Sequence, residues 1–218
     1  MSAPPQRLVL AQTVAPTVWP VTLAEAKAHM RVDIGDEDTL IEALIVAATK
    51  HCENLTGRQF MLATWRLSLD RFPCGVFNDQ SSPAIEGNDI ILPRPNLLAV
   101  SSIKYDDADG TEQTMDAADY RVGTDERPGR ISLAYDAEWP TTRSQSNAVR
   151  VLYTAGYSAS ATAATAQAAV PQNVKQAILL LVAQWFENRE TQAIGTIATT
   201  LAFTIENLLA PETCAEVW

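Results

Sequence analysis

Two periodicities share this chain, and they are kept apart. Apolar residues recur with the 3.6-residue period of helices towards both ends, and alternate with polar ones, as strands require, in the middle. Leu40, Ile41, Leu44, Ile45, Ala48, Cys52 and Leu55 fall at helical spacing, and Gly57 follows where a helix C-terminus favours glycine. Val174, Ala177, Ile178, Leu181, Val182 and Trp185 repeat the pattern far downstream. Leu179, Leu180, Ala183 and Phe186 widen that stripe almost all round, more apolar surface than a small bundle needs. Between them, Thr64–Asp70 alternates strictly, and shorter strand-like runs follow at 89–92, 100–105, 119–122, 130–134 and 149–154. Turn signals separate these runs: Asp106–Gly110 reads as a hairpin tip, and Pro93-Arg94-Pro95 and Arg127-Pro128-Gly129 as breakers. The expected fold class is α+β. A helical bundle is formed by the N- and C-terminal helices, 21–59 and 170–211, with a small antiparallel β domain inserted at 60–155.

The remaining segments follow from local chemistry. Pro4, Pro5, Pro16 and Pro20 predict an extended N-terminal arm over 1–20. Thr22 to Glu25 fits a capping box, opening a helix that ends near Arg31. Asp36 is the expected N-cap of a second helix running from Glu37 to Thr56. The Ala-, Ser- and Thr-rich stretch 156–169 predicts a flexible linker. Pro171 suits the first position of the next helix. A last amphipathic segment, about 199–209, is expected to stop at Pro211, leaving 212–218 as a tail.

Charge and side-chain chemistry narrow the function. The 218 residues carry 26 acidic and 16 basic side chains, a net charge of −10. A face built to grip nucleic-acid phosphates is therefore not expected. Cys52, Cys74 and Cys214 are odd in number and widely spaced, which predicts neither a disulfide framework nor a thiolate zinc site, and suits a reducing compartment. Met1–Leu10 lacks the pattern of a signal peptide, and the longest apolar run, 177–183, is short for a membrane span, so a chain made in the cytoplasm with no membrane partner is expected. His29 and His51 read as partly exposed helix residues without further ligands at metal spacing. Asp106 and Asp107 read as a solvated turn, not an acid–base pair. Glu187 and Glu190 around Arg189 read as a surface ion-pair network. No phosphate loop or nucleophile elbow occurs, so neither an enzyme, a cofactor nor a metal is expected. Trp65, Trp139 and Trp185 read as packing residues. Trp19 and Trp218 lie near the termini and read as residues able to dock on a neighbour.

The ordered set of short motifs carries a resemblance. Val21–Lys27 is followed by His29–Val32, Asp36-Glu37-Asp38, Leu40-Ile41, Leu44-Ile45 and Thr56-Gly57-Arg58. Leu92–Pro95 then precedes Val100–Ile103 and Gly129-Arg130-Ile131, and Tyr153–Tyr157, Val170-Pro171 and Trp185–Glu190 complete the set. In this order they resemble the head–tail connector family of tailed bacteriophages, also called adaptor or head-completion proteins, which includes prophage and gene-transfer-agent members. The strand region is long for that pattern. The resemblance implies a structural protein at the virion neck. About twelve copies would form a ring between the portal protein and a stopper or tail-completion protein, with genomic DNA passing through its channel and not bound by sequence. Leu208, Leu209 and Trp218, with Trp185, Phe186 and Arg189, are the expected portal or subunit interface. Deleting 210–218 is expected to block portal attachment and leave the monomer folded. The competing readings are a stopper, for which helices at both ends argue less well, a protein that grips duplex DNA in a salt-sensitive way, and an enzyme using the acidic turns.

Overall fold

The structure, a computed structural model, describes residues 7–73, 85, 86, 88–160, 162–188 and 204–214. It is mixed α and β, with antiparallel sheets. Strand β1 (Leu8–Val14) comes first, then helices α1 (Leu23–Met30) and α2 (Asp38–Thr56). Strands β2 (Ala63–Leu69), β3 (Ile85–Glu86), β4 (Asp89–Leu92), β5 (Leu97–Asp106), β6 (Glu112–Thr114), β7 (Tyr120–Gly123), β8 (Gly129–Leu133) and β9 (Val149–Ala155) follow. Helices α3 (Ala163–Ala168), α4 (Gln172–Glu187) and α5 (204–209) close the described chain, with a 3₁₀ turn at Ala210–Glu212.

One sheet has the order β1-β2-β9-β5-β6 and the other β3-β4-β8-β7. In the first, Leu67 lies opposite Val151, which in turn lies opposite Ile103. Along β9 the side chains Val149, Val151, Tyr153 and Ala155 are buried and those between them are not, as period two demands. They join Leu67, Ile90, Leu92, Ile103 and Ile131 in one apolar core shared by both sheets. Trp139 stacks on Phe72, with ring centroids 4.9 Å apart, at the rim of that core. A second core draws on both ends of the chain: Ala26 of α1, Ile41, Ile45, Ala48 and Cys52 of α2, Val174, Ile178 and Val182 of α4, and Leu209.

The capping box forms as spelled. Glu25 N–H donates to Thr22 Oγ1 over 3.1 Å, and Thr22 N–H donates to the Glu25 carboxylate over 2.7 Å. Gly57 closes α2 at φ 70°, a left-handed conformation that L side chains resist.

Several expectations are corrected. The arm expected over 1–20 is extended where Leu8–Val14 is described, and it is tied down there as strand β1, with Leu8 and Leu10 packed on the sheet core. Asp36 does not cap α2. Glu37 occupies that position without a side-chain cap, and the turn is held by Lys27, whose ammonium donates to Ile34 O and to Asp38 Oδ1, 2.8 and 2.6 Å away. The linker over 156–169 contains α3, where Ala-rich sequence favours helix and Ala166 is buried against the helical core. Pro171 is the N-cap of α4 and not its first residue. The last α-helix ends at 209, as expected, and Pro211 follows inside the 3₁₀ turn Ala210–Glu212, where its missing N–H costs nothing. Trp19 is half-buried on the helical core, and its carbonyl accepts from Gln167 Nε2 over 2.9 Å, so it is not a loose aromatic. Cys74, Arg189, Glu190 and Trp218 lie outside the described residues.

Candidate functional site

The polar side chains that are both buried and organised lie where the two cores meet. Four stretches converge there: the last turns of α2 with the following turn to Met61, the loop 93–96 between β4 and β5, Gly156-Tyr157 after β9, and the C-terminal segment 209–214.

Arg58 is the centre. It is 4% exposed. Its Nε donates to the carbonyl of Glu212, its Nη1 donates to Asn96 Oδ1 over 3.1 Å, and the Glu212 carboxylate lies 3.4 Å from that same Nη1. Tyr157 donates its hydroxyl to Glu212 Oε2 over 2.6 Å. Burial, then this hydrogen bond to a carboxylate, pushes the phenol pKa well up. The main chain adds two ties: Cys214 N–H donates to Thr56 O and Gly156 N–H to Asn96 O, each over 2.9 Å. Arg58 thus fastens α2, the sheet loop and the C-terminal segment with one guanidinium, whose planar fork suits several acceptors at once.

Glu53, one turn earlier, makes the second clasp. Its Oε1 accepts from Gln59 Nε2 over 2.6 Å and from the Phe60 N–H over 2.9 Å. Burial raises its pKa to about 7 against the opposing pull of the Phe60 N–H and Arg94. Arg94 donates to the Glu53 and Asn54 oxygens over 3.2 Å and lies 5.4 Å above the Trp65 ring. Tyr153 reaches the same loop by donating to Pro93 O over 2.7 Å. Neighbouring Cys52 is buried, and its thiol is pushed up to about 12, first by burial and then by Glu53. Arg58, Glu53, Arg94, Tyr153, Tyr157 and Glu212 each bond within the chain, whereas the buried Asn96 Nδ2 has no hydrogen-bond partner among the described residues, so the arrangement mainly braces elements against one another. Among the described residues no group of three or more His, Cys, Asp or Glu could hold a metal, and no helix is long and apolar enough to cross a membrane.

The expected interface residues are dispersed. Leu209 is 1% exposed inside the helical core and is consumed by the chain itself. Leu208 is half-buried on that core, and its carbonyl accepts from Asn173 over 2.9 Å. Trp185 and Phe186, in the last turn of α4, are half-buried against the helical core, with Trp185 edge-on to His51 of α2 at 6.0 Å. Most of the α4 stripe, from Val174 to Val182, turns inward to the chain's own core. Asp106 and Asp107 form no acid–base pair. Arg150 grips Asp106 over 2.6 and 2.9 Å and holds that carboxyl below its usual range, and Gln113 and turn amides do the same for Asp107.

The junction itself was missed as a site, although its parts were in view. Thr56-Gly57-Arg58, Leu92–Pro95 and Tyr153–Tyr157 were singled out as separate motifs, and they meet here. Nothing local names Glu212 as the partner of Arg58, which stands far away in sequence.

Comparisons with known proteins agree with this architecture. Among curated proteins, no sequence matches. The chain is similar to one in the neck of an empty gene transfer agent particle computed with C6 symmetry: 25% identity over 96% of this chain and 97% of that one, TM-score 0.73. Chains in the virion of a native gene transfer agent particle and in a native neck computed with C12 symmetry share the fold at 24% identity, with TM-scores of 0.72 and 0.68 and the same coverage. A family model described as head completion protein matches residues 21–215, the span that holds both cores and the Arg58 junction, and the chain belongs to that family.

Proposed function

We propose that this protein is a head–tail connector adaptor, a structural part of a virion neck with no catalytic role. About twelve copies would form a ring between the portal and a stopper or tail-completion protein, and the cyclic symmetry with which the similar necks were computed, C6 and C12, is compatible with it. The observation that carries the reading is the family match across 21–215 together with end-to-end likeness to a neck chain. The helices contributed by the two ends of the chain act as the bundle of this adaptor, and the sheets project from it. The half-buried Trp185 and Phe186 at the end of α4, with Leu208, Arg189 and Trp218, remain the proposed contacts to portal or neighbour. A net charge of −10 lets DNA slide through such a ring, since it supplies little attraction to phosphates.

Deletion of the gene, followed by electron microscopy of the particles, tests this. DNA-filled heads without tails, restored by the gene in trans, are expected. Tailed particles of normal appearance would overturn it.

A further inference from the structure

The five-stranded sheet is open at one side. Among the described residues β1 pairs only with β2, so the other side of its backbone faces outward. Natural edge strands are usually blunted by lysine, proline or a bulge. Here no charged residue stands between Arg7 and Glu25, and β1 itself contains no proline. Its register shift falls late, between Gln12 and Val14, which leaves Leu8 to Gln12 regular. Val9 and Val14 are 47% and 56% exposed.

A groove of about 180 Å³ continues from the end of this edge. Val14, Pro16, Val18, Met61, Ala63 and Ala166 line it. A strand laid along β1 and running past Val14 would place an apolar side chain there. Backbone pairing with an adjoining apolar recess is the usual means of capturing an extended polypeptide.

Charge selects the occupant. A chain carrying −10 repels its own copies over most of its surface, so copies adhere where charge is missing. The strand β1 and the groove are built from uncharged residues, 8–18, 61–64, Thr154, Ser160 and Ala166, with exposed Arg66 of β2 as a nearby cation opposite Ala11. A basic partner would be drawn to acidic surface instead.

We propose that the β1 edge and this groove receive an extended segment of the adjacent copy of the same chain, so that the sheet continues from one subunit to the next. The proposal rests on the ring reading above. Such a head-to-tail contact leaves each copy one donor and one acceptor surface, as a closed ring requires.

Hydrogen exchange of the free protein and of purified particles tests it, with Val9→Lys and Val14→Lys as variants. The outward-facing amides of Leu8–Val14, the alternate ones that do not bond to β2, should exchange readily in the free protein and at least tenfold more slowly in the particle. Both variants should keep the unfolding midpoint of the parent and lose ring formation. Particles whose neck contains the chain but whose β1 amides stay unprotected would overturn the proposal and spare the neck assignment, whereas absence of the chain from the neck would overturn the assignment itself. Slow exchange of those outward-facing amides already in the free protein, normal rings from either variant, or protection on portal loaded with isolated single copies would each overturn it, the last by making the portal the occupant.

Discussion

Arg58 and Glu53 do different work on the same elbow, and different measurements separate them. Replacing Arg58 by alanine leaves Glu212 and Asn96 without their shared donor in a buried place. R58A should cost about 3 kcal/mol, read as a lower midpoint in urea. Glu53 is destabilising when ionised, because its folded pKa of about 7 exceeds its ordinary value of 4.5. Its contribution is fully present below about pH 4.5, declines as the pH rises, and is lost above about 7. E53Q keeps an oxygen for Gln59 and Phe60 but cannot ionise, so the slope of stability between pH 5 and 7 should flatten. At pH 8 the variant should be the more stable by about 1–3 kcal/mol. An unchanged slope would mean that another group titrates there.

At the scale of elements, local chemistry was easiest to read where it was self-contained. The Thr22–Glu25 box and the Gly57 stop are complete within a few residues, and both stand as spelled. Six strands between Ala63 and Ala155 were announced by strand-like runs and turns, and β9 shows the physical reason most clearly, since its alternate side chains are buried. β1 was hidden by the prolines around it, and β6 by its short, exposed run of three polar residues. α3 was hidden by small side chains, which signal neither period strongly. Gly156 illustrates a constraint invisible in sequence: at φ 150°, an added Cβ would lie 2.9 Å from Leu62 N and 3.0 Å from Met61 C. G156A should therefore destabilise by about 2 kcal/mol or more, since backbone cannot swing aside as a side chain can, and a thermal unfolding shift would show it.

For the whole molecule, the family was legible from the order of its motifs, while their meeting point was not, because Arg58 and Glu212 find each other only in the folded chain. The same geometry revises the truncation test. Removing 210–218 would strip Glu212 from Arg58 and Tyr157 and Cys214 from Thr56. That variant should lose about 3 kcal/mol, so its failure to attach would say nothing about an anchor. Truncation after Cys214 keeps these ties. It should leave the midpoint of unfolding unchanged while abolishing attachment to the portal, and normal attachment would remove Trp218 from the interface.

The amide of Cys214 bonded to Thr56 O has a mechanical consequence. A tug on anything fused or docked beyond residue 214 does not merely peel the last turn away. It is delivered to the elbow between α2 and β2, where Arg58 shares the strain with the loop before β5. A load on that end of the chain would thus be felt as torque between its helices and its sheets.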